Sequence, residues 1–277
     1  MLQLMYITNR PEIARIAESA GVDRIFVDLE YIGKASRQGG MDTVQSQHTL
    51  DDVRTISEVI RTAELLVRVN PIHEATEEYC SSQEEIDTAI QNGADIIMLP
   101  YFKTLLEVKQ FLSCVAGRAK TMLLVETPES VNIIDDILQL KGIDCVHIGI
   151  NDLSIGYRKK FMFELLTDGT VERLCNKFRE KGIPYGFGGI ASLGKGALPA
   201  EMIIKEHYRL GSTCAILSRS FCDTTKNVDI HMVKNTFDHG IAQIRALEEE
   251  CQMYRDYFMK NKIAVAEKVA AIVAAKE

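Results

Sequence analysis

Residues 121–156 read TMLLVETPESVNIIDDILQLKGIDCVHIGINDLSIG and contain one complete unit of the repeat that decides the fold. Short apolar runs at 121–125 and 145–148 flank a segment, 129–140, whose apolar residues recur at steps of three and four. The runs predict buried strands, and the spacing between them predicts an amphipathic helix. Gly142 follows the helical segment, where glycine can adopt the left-handed conformation that ends many helices. The stretch is therefore a strand–helix–strand unit.

The same unit recurs along the chain. Predicted strands cover 2–7, 24–29, 65–69, 95–99, 121–125, 145–148, 184–187 and 214–217, and predicted helices cover 11–20, 50–62, 83–92, 105–115, 129–140, 171–181 and 200–210. Eight strands that alternate with helices indicate an α/β fold with a parallel sheet closed into a (β/α)8 TIM barrel. An open doubly wound sheet is the second choice. That fold usually has a glycine-rich turn after the first strand, where this chain has Thr8-Asn9-Arg10-Pro11.

A long helical segment follows the eighth predicted strand. We predict a catalytic barrel domain over residues 1–225 and a C-terminal helical extension over 226–277. Apolar residues recur every three or four positions in the extension, namely Val233, Phe237, Ile241, Ile244, Leu247, Cys251, Tyr254 and Phe258. The stripe must cover either its own barrel or a neighbouring subunit. A barrel already has its own ring of helices, so we expect the stripe to pack against another subunit of a homo-oligomer, a trimer or a hexamer. A helix lying on a membrane surface is the alternative.

Composition excludes several classes of function. The chain of 277 residues has 32 basic and 39 acidic residues, a net charge of -7, and no basic stripe that could neutralise a row of phosphates, so we expect no nucleic-acid partner. Its 7 cysteines include no C-x-x-C pair, which favours reduced thiols in a cytoplasm. The N-terminus lacks the pattern of a signal peptide and no long apolar span occurs, so we expect a soluble protein with no membrane partner.

Polar residues stand where the predicted strands end, and reactive groups of (β/α)8 barrels lie at that face. The sharpest pair is Glu126 and Asp152, which follow neighbouring strands. Two adjacent carboxylates repel unless a cation or a proton lies between them, and oxygen ligands suit Mg²⁺ or Mn²⁺. The structural alternative makes Glu126 a charge at a helix N-terminus and Asp152 a loop carboxylate. A divalent-metal site is the sharper hypothesis.

Arg68 lies inside an apolar strand, where an unpaired guanidinium would be costly. It must meet either Asp28 or Glu30 in an ion pair or an oxyanion of a substrate. Two histidines lie near the predicted site. His48, in the long polar loop 30–49, is a candidate base on a lid, with a solvated loop histidine as the alternative, and His147 is expected to be a packed barrel residue.

The ordered segments FVDLE, LVRVN, ADIIMLPYF, LLVETPESV and HIGINDLSIG resemble the HpcH/HpaI aldolase and citrate-lyase family of metal-dependent barrels. The resemblance implies cleavage or formation of a carbon–carbon bond next to a 2-oxo acid or an acyl thioester, through an enolate that a metal stabilises. It implies Glu126 and Asp152 as metal ligands and Arg68 as the contact of the 2-oxo oxygen. It also implies a carboxylate site at the backbone amides of Gly149, Ile150, Asn151 and Asp152.

One position departs from the aldolase branch, which has a histidine after the glutamate of the second-strand motif. In this chain Tyr31 follows Glu30. The citrate-lyase branch often has an aspartate there, and its R-V-N signature matches Arg68-Val69-Asn70. The chain therefore matches neither branch in full.

We predict a lyase that depends on Mg²⁺ or Mn²⁺ and acts on a small-molecule 2-oxo acid. A metal-bound water, His48 or Tyr31 would move the proton, and Glu30 would order that water or the loop around it. A lyase of acyl-CoA thioesters is a second hypothesis, although no compact basic cluster is evident for the nucleotide phosphates. A non-catalytic barrel that binds a small ligand is the third.

Overall fold

A closed parallel barrel of eight strands forms the centre of the computed structural model, with β8 paired to β1. The structure describes residues 1–34, 47–224, 229–254 and 256–276. The strands are β1 (Gln3–Ile7), β2 (Arg24–Asp28), β3 (Glu64–Arg68), β4 (Ile96–Leu99), β5 (Lys120–Val125), β6 (Cys145–Ile148), β7 (Tyr185–Ile190) and β8 (Cys214–Leu217).

Helices cover the outside of this barrel. In the described part of the chain they are α1 (Pro11–Ser19), α2 (Leu50–Ser57), α3 (Ser82–Gln91), α4 (Leu105–Val115), α5 (Pro128–Asn132), α6 (Ile134–Ile137), α7 (Ile150–Gly156), α8 (Glu164–Thr167), α9 (Thr170–Glu180), α10 (Ala200–Leu210), α11 (Ile230–Met253) and α12 (Phe258–Ala274). The predicted (β/α)8 barrel with additional C-terminal helices is confirmed.

Among the elements that differ from their predictions, two are informative. The single helix predicted over 129–140 is two short helices, α5 and α6, because the backbone leaves the helical conformation at Ile133, with φ −103° and ψ 12°. Strand β7 continues past its predicted end through Gly188 and Gly189 to Ile190, with a register shift against β8. Glycine is rare in strands, which is why composition hid this end of β7.

The apolar core has two layers. Inward-pointing side chains fill the barrel itself, with Met5, Phe26, Leu66, Met98 and Met122 buried together. Outward-pointing side chains of the strands pack against the helices in a second, larger layer. The filled interior leaves the ends of the strands as the place for a binding cavity.

The C-terminal extension packs on its own barrel, so the prediction that its apolar stripe faces another subunit is wrong. Val233, Phe237, Ile241, Ile244, Leu247 and Cys251 are all buried within the single chain. Helix α11 follows β8 and contacts both α1 and α10, so it is the eighth helix of the ring. Tyr254, in contrast, is exposed, and residues 226–228 of the predicted extension lie outside the described residues.

Polar contacts fix this arrangement. Glu248 of α11 is fully buried and accepts hydrogen bonds from Leu2 N at 2.5 Å, Tyr208 Oη at 2.9 Å and Arg245 Nη1 at 2.7 Å. In α12, Asn261 Nδ2 donates to Glu206 of α10 at 2.8 Å. Across the ranges that the structure describes, every helix is too short or too polar to span a bilayer.

Candidate active site

A cavity of about 730 Å³ opens at the C-terminal ends of the strands. The loops after β1 and β8 form one wall, and the ends of β2, β3, β5 and β6 form the other. Residues predicted for the site that line the cavity are Arg68, His48, Glu126, Gly149, Ile150, Asn151 and Asp152, and they are joined by Asp28, Lys34 and His147. The fold therefore brings most of the predicted site together.

Arg68 is held in a forked ion pair. Asp28 and Arg68 stand opposite each other in the β2–β3 register, and Nε and Nη2 of the guanidinium each lie 2.8 Å from one oxygen of Asp28. Arg68 Nη1 lies 3.3 Å from Glu30 Oε2. Burial opposes ionisation of Asp28, but the charges of Arg68 and Lys34 outweigh it and hold the pKa of this carboxyl below its ordinary value. The predicted ion pair exists, and it fixes Arg68 at the cavity wall.

Lys34 belongs to the same network, and the sequence analysis missed it. Its Nζ lies 3.0 Å from Asp28 Oδ2 and 3.5 Å from Glu30 Oε2, and only 5% of its side chain is exposed. A lysine in a long polar loop is usually solvated, so composition gave no reason to select it. Its spacing of four residues from Glu30 was the one available signal.

Glu30 is buried beneath these two cations and does not line the cavity. Its carboxylate meets Arg68 and Lys34, and Lys34 belongs to the loop 30–49, so a role for Glu30 in ordering a water or that loop stays a prediction. Part of that loop, residues 35–46, lies outside the described residues.

Tyr31 points away from the cavity, so its predicted role in proton transfer is wrong. Its side chain is 44% exposed, and its ring packs against Tyr79 with centroids 5.2 Å apart. The cause lies in the backbone, because the amides of Tyr31 and Ile32 both donate to Asn70 Oδ1 at 3.0 Å and turn the chain outward.

His48 lies at the cavity wall, half-buried, and Nδ1 accepts a hydrogen bond from Asp28 N at 3.0 Å. Since Nδ1 is the acceptor, the neutral ring carries its proton on Nε2. Burial lowers the pKa of His48 and favours that neutral form. His48 is thus an anchored hydrogen-bond donor, which corrects its interpretation as a base on a lid.

Glu126 directly follows β5 and is buried. Its Oε1 accepts from Tyr101 N at 2.9 Å. A Cβ atom at Gly149 would lie 2.7 Å from Glu126 Cβ, so glycine is needed there for β6 to pass this carboxylate. Burial and the nearby charges of Glu30 and Asp152 raise the pKa of Glu126 well above its ordinary value.

Asp152 lies in the first turn of α7 rather than at a strand tip. It shares two cavities with Glu126, the main one and an adjoining one of about 240 Å³. Asn151 Nδ2 lies 3.4 Å from Asp152 Oδ1. Asp152 lies close enough to Glu126 for its charge to raise the pKa of that carboxyl.

The residues present fit a divalent cation. Glu126 and Asp152 line the same cavity, and Glu126 lies near the charges of Glu30 and Asp152. Carboxylate oxygens are the donors that hard divalent cations prefer. In the described ranges, no three His, Cys, Asp or Glu side chains converge on one point. Glu126 and Asp152 would therefore hold the ion together with water and substrate oxygens, a coordination that Mg²⁺ commonly accepts.

The predicted carboxylate site at the backbone amides needs one correction. Gly149 N donates to Val125 O at 3.0 Å in the barrel ladder and is therefore committed. The amides of Ile150, Asn151 and Asp152 form the first turn of α7, where amides have no acceptor within their own helix. These three residues remain the candidates for binding a substrate carboxylate.

His147 is the packed barrel residue that its position in β6 predicts. Its Nε2 lies 3.3 Å from Gly188 O, and burial lowers its pKa to about 4. A neutral imidazole that is bound to a carbonyl supports the barrel wall and has no free role in proton transfer.

Comparisons with known proteins give one family match and a structural likeness. A family model described as HpcH/HpaI aldolase/citrate lyase matches residues 3–183. Among solved structures, an HpcH/HpaI aldolase from Desulfitobacterium hafniense DCB-2 is similar, with a TM-score of 0.61 and 17% sequence identity, over 88% of this chain and 93% of that one. At this identity the likeness shows the fold alone. No curated protein matches this chain in sequence.

Proposed function

Since the chain belongs to the HpcH/HpaI aldolase/citrate lyase family, we propose that it is a carbon–carbon lyase that acts on a 2-oxo acid with the help of a divalent cation. The observation that carries the proposal is the shared cavity, on which Arg68 and the carboxylate pair of Glu126 and Asp152 all lie. A fixed cation beside a site for a divalent metal is the arrangement that stabilises an enolate oxygen.

Different residues of the chain bind different parts of the substrate. Arg68 directs three of its donor positions to Asp28 and Glu30, and a guanidinium has five N–H groups, so two remain for the 2-oxo oxygen. The amides of Ile150 to Asp152 hold the substrate carboxylate. Glu126 and Asp152 would hold Mg²⁺ or Mn²⁺, which when bound polarises the 2-oxo group.

His48 completes the polar wall. Its Nε2–H is a neutral donor, and Nδ1 is fixed by the amide of Asp28. Because Asp28 also holds Arg68, the two donors keep a constant relation to each other. They can orient a substrate oxygen without reorganisation during the reaction, which is the condition for effective electrostatic stabilisation.

Exchange of the methyl protons of pyruvate tests the proposal, because it needs the enolate but no aldehyde. We expect wild-type protein with Mg²⁺ in deuterium oxide to exchange these protons, followed by NMR, and Asp152→Asn to lose at least tenfold in rate. Asp136→Asn is the matched control, since Asp136 is an exposed carboxylate of α6.

Release of pyruvate from 4-hydroxy-2-oxo acids then tests bond cleavage itself. Wild-type protein that shows neither exchange nor release, with Mg²⁺ or with Mn²⁺, would contradict the proposed function and favour a barrel that only binds its ligand.

A further inference from the structure

The inference starts from Lys34, whose burial at the cavity is unusual for a lysine. Lysine is almost never fully buried without a partner. Here Asp28 Oδ2 and Glu30 Oε2 lie 3.0 and 3.5 Å from Nζ. Arg68 and Lys34 together balance the buried carboxylates of Asp28 and Glu30. This pairing holds the ammonium group of Lys34 at the cavity rather than in solvent, where it lies within reach of a substrate.

The number of donors leaves one N–H for a ligand. An ammonium group carries three N–H donors, and the two carboxylates account for two of them. Lys34 also lines the cavity. One N–H of Nζ therefore remains for a substrate oxygen in this cavity.

The other polar groups nearby are poorly suited to give up a proton. A guanidinium does not release its proton in proteins, which excludes Arg68. Neutral His48 would have to become an imidazolate, because Nδ1 already accepts from Asp28 N. Burial raises the pKa of the Tyr6 phenol, and its hydroxyl is bound to Cys222 O and Thr224 Oγ1. Of these four side chains, Lys34 is the remaining candidate.

We propose that Lys34 is the catalytic acid and base that protonates and deprotonates the oxygen of the aldehyde half of the substrate. This proposal rests on the proposed function. In bond formation, the enolate carbon attacks the aldehyde carbon, the C–C bond forms, and the carbonyl electron pair becomes an alkoxide that takes a proton from Nζ. In cleavage the neutral amine, after releasing that proton to water, accepts the hydroxyl proton while the C–C electrons return to the enolate.

Two reactions that pass through the same enolate distinguish proton transfer by Lys34 from a purely structural role of this residue. Cleavage of a 4-hydroxy-2-oxo acid requires transfer of the hydroxyl proton, whereas decarboxylation of oxaloacetate reaches the same enolate with carbon dioxide as the leaving group. In Lys34→Met we expect cleavage to fall by about 10²–10⁴-fold, the usual contribution of a positioned acid or base. Decarboxylation and exchange of pyruvate methyl protons should stay within about threefold of wild type.

Further variants distinguish proton release by Lys34 from the effect of its positive charge. Lys34→Arg keeps a cation against Asp28 and Glu30 but cannot release a proton, so it should lose cleavage and keep decarboxylation. Lys109→Met, at an exposed lysine of α4, is the matched control. Calorimetric titration with Mn²⁺ should give the same affinity for wild type and both Lys34 variants, a readout that does not depend on turnover.

Four results would overturn the proposal. Equal losses of cleavage and decarboxylation in Lys34→Met would mean that Lys34 only positions Arg68. Full cleavage in Lys34→Arg would remove proton transfer from its role. A pyruvate adduct trapped on Lys34 by borohydride would make it a nucleophile. A wild-type protein without exchange or decarboxylation would overturn the proposed function, and the role of Lys34 with it.

Discussion

Glu126 and Asp152 are two carboxylates that the fold holds near each other. Because they repel without a cation, Glu126→Gln and Asp152→Asn should each weaken binding of Mg²⁺ or Mn²⁺ by at least roughly tenfold while the fold stays intact. Titration calorimetry measures the affinity, and circular dichroism checks the fold. Asp136→Asn should bind as wild type does. Unchanged affinity in both site variants would return these residues to a structural role.

Arg68 combines an ion pair with a place at the cavity wall, and one substitution distinguishes the two roles. Arg68→Lys keeps the charge but loses the planar fork that meets both oxygens of Asp28. If Arg68 stabilises the enolate oxygen, exchange of pyruvate methyl protons should fall roughly a hundredfold, the scale for losing one oxyanion donor.

The unfolding temperature of Arg68→Lys should change less than this rate does. Arg54→Lys, at an exposed arginine of α2, is the control. A large loss of stability with exchange at the wild-type rate would leave Arg68 as an ion-pair residue alone.

At the scale of the elements, the strands could be predicted because their apolar runs depend on short-range sequence. The buried strands β6 and β8 begin and end at the predicted residues. The break at Ile133 could not be predicted, because the apolar spacing continues through it and only the backbone conformation changes. The extension was placed wrongly because no periodicity shows which surface a helix covers. That α11 completes the ring is a property of the closed barrel.

The candidate site, like the strands, could be predicted only where its residues follow from the apolar pattern. Glu126, Asp152 and Arg68 follow apolar runs, so the rule about strand ends selects them. Lys34 depends on a contact with Glu30 four residues before it, and the outward turn of Tyr31 depends on Asn70 after the next strand. The apolar pattern therefore identifies residues fixed by strands and misses residues fixed by polar contacts of a loop.

Glu248 ties α11 to the barrel, which makes it the test of the corrected packing. Glu248→Ala leaves Leu2 N and Tyr208 Oη without this acceptor and removes one partner of Arg245, which keeps its ion pair with Asp23. A buried hydrogen-bonding group left without its partner costs about 1–3 kcal/mol. Thermal denaturation should show a decrease of roughly 10 °C. Glu249→Ala, at the exposed neighbouring residue, should change little, and equal effects of the two variants would argue against this anchor.

At the scale of the whole molecule, the C-terminal segment presents large apolar side chains that its own barrel does not cover. Met232, Met253, Tyr254, Met259 and Ile263 are each more than half exposed. We expect these outer faces to contribute to a homo-oligomer, a trimer or a hexamer, since exposed apolar patches mark interfaces.

Residues four apart share a helix face, so the double variant Met259→Glu, Ile263→Glu should lower the molar mass measured by light scattering. Leu106→Glu, at an exposed leucine of α4, should not. A wild-type protein that scatters as a monomer would refute the prediction.

The final prediction concerns how metal and pH together set the stability of the whole protein. Burial, Glu30 and Asp152 raise the pKa of Glu126 above its ordinary value of 4.5, so the metal-free folded state holds this proton more tightly than the unfolded chain. The stability that this proton contributes is present below 4.5 and is lost as pH rises through the raised folded-state pKa.

A bound cation removes this loss because it stabilises the ionised carboxylate. The difference in unfolding temperature between protein with Mg²⁺ and protein with chelator should therefore grow as pH rises above 4.5. Burial lowers the pKa values of His48 and His147, so their contribution makes the folded state more stable as pH rises. This contribution is present with and without metal, so it largely cancels when the two unfolding temperatures are subtracted. Glu126→Gln has no such proton, so its difference should be small and flat with pH. A wild-type difference that does not vary with pH would show that Glu126 is not where metal and proton compete.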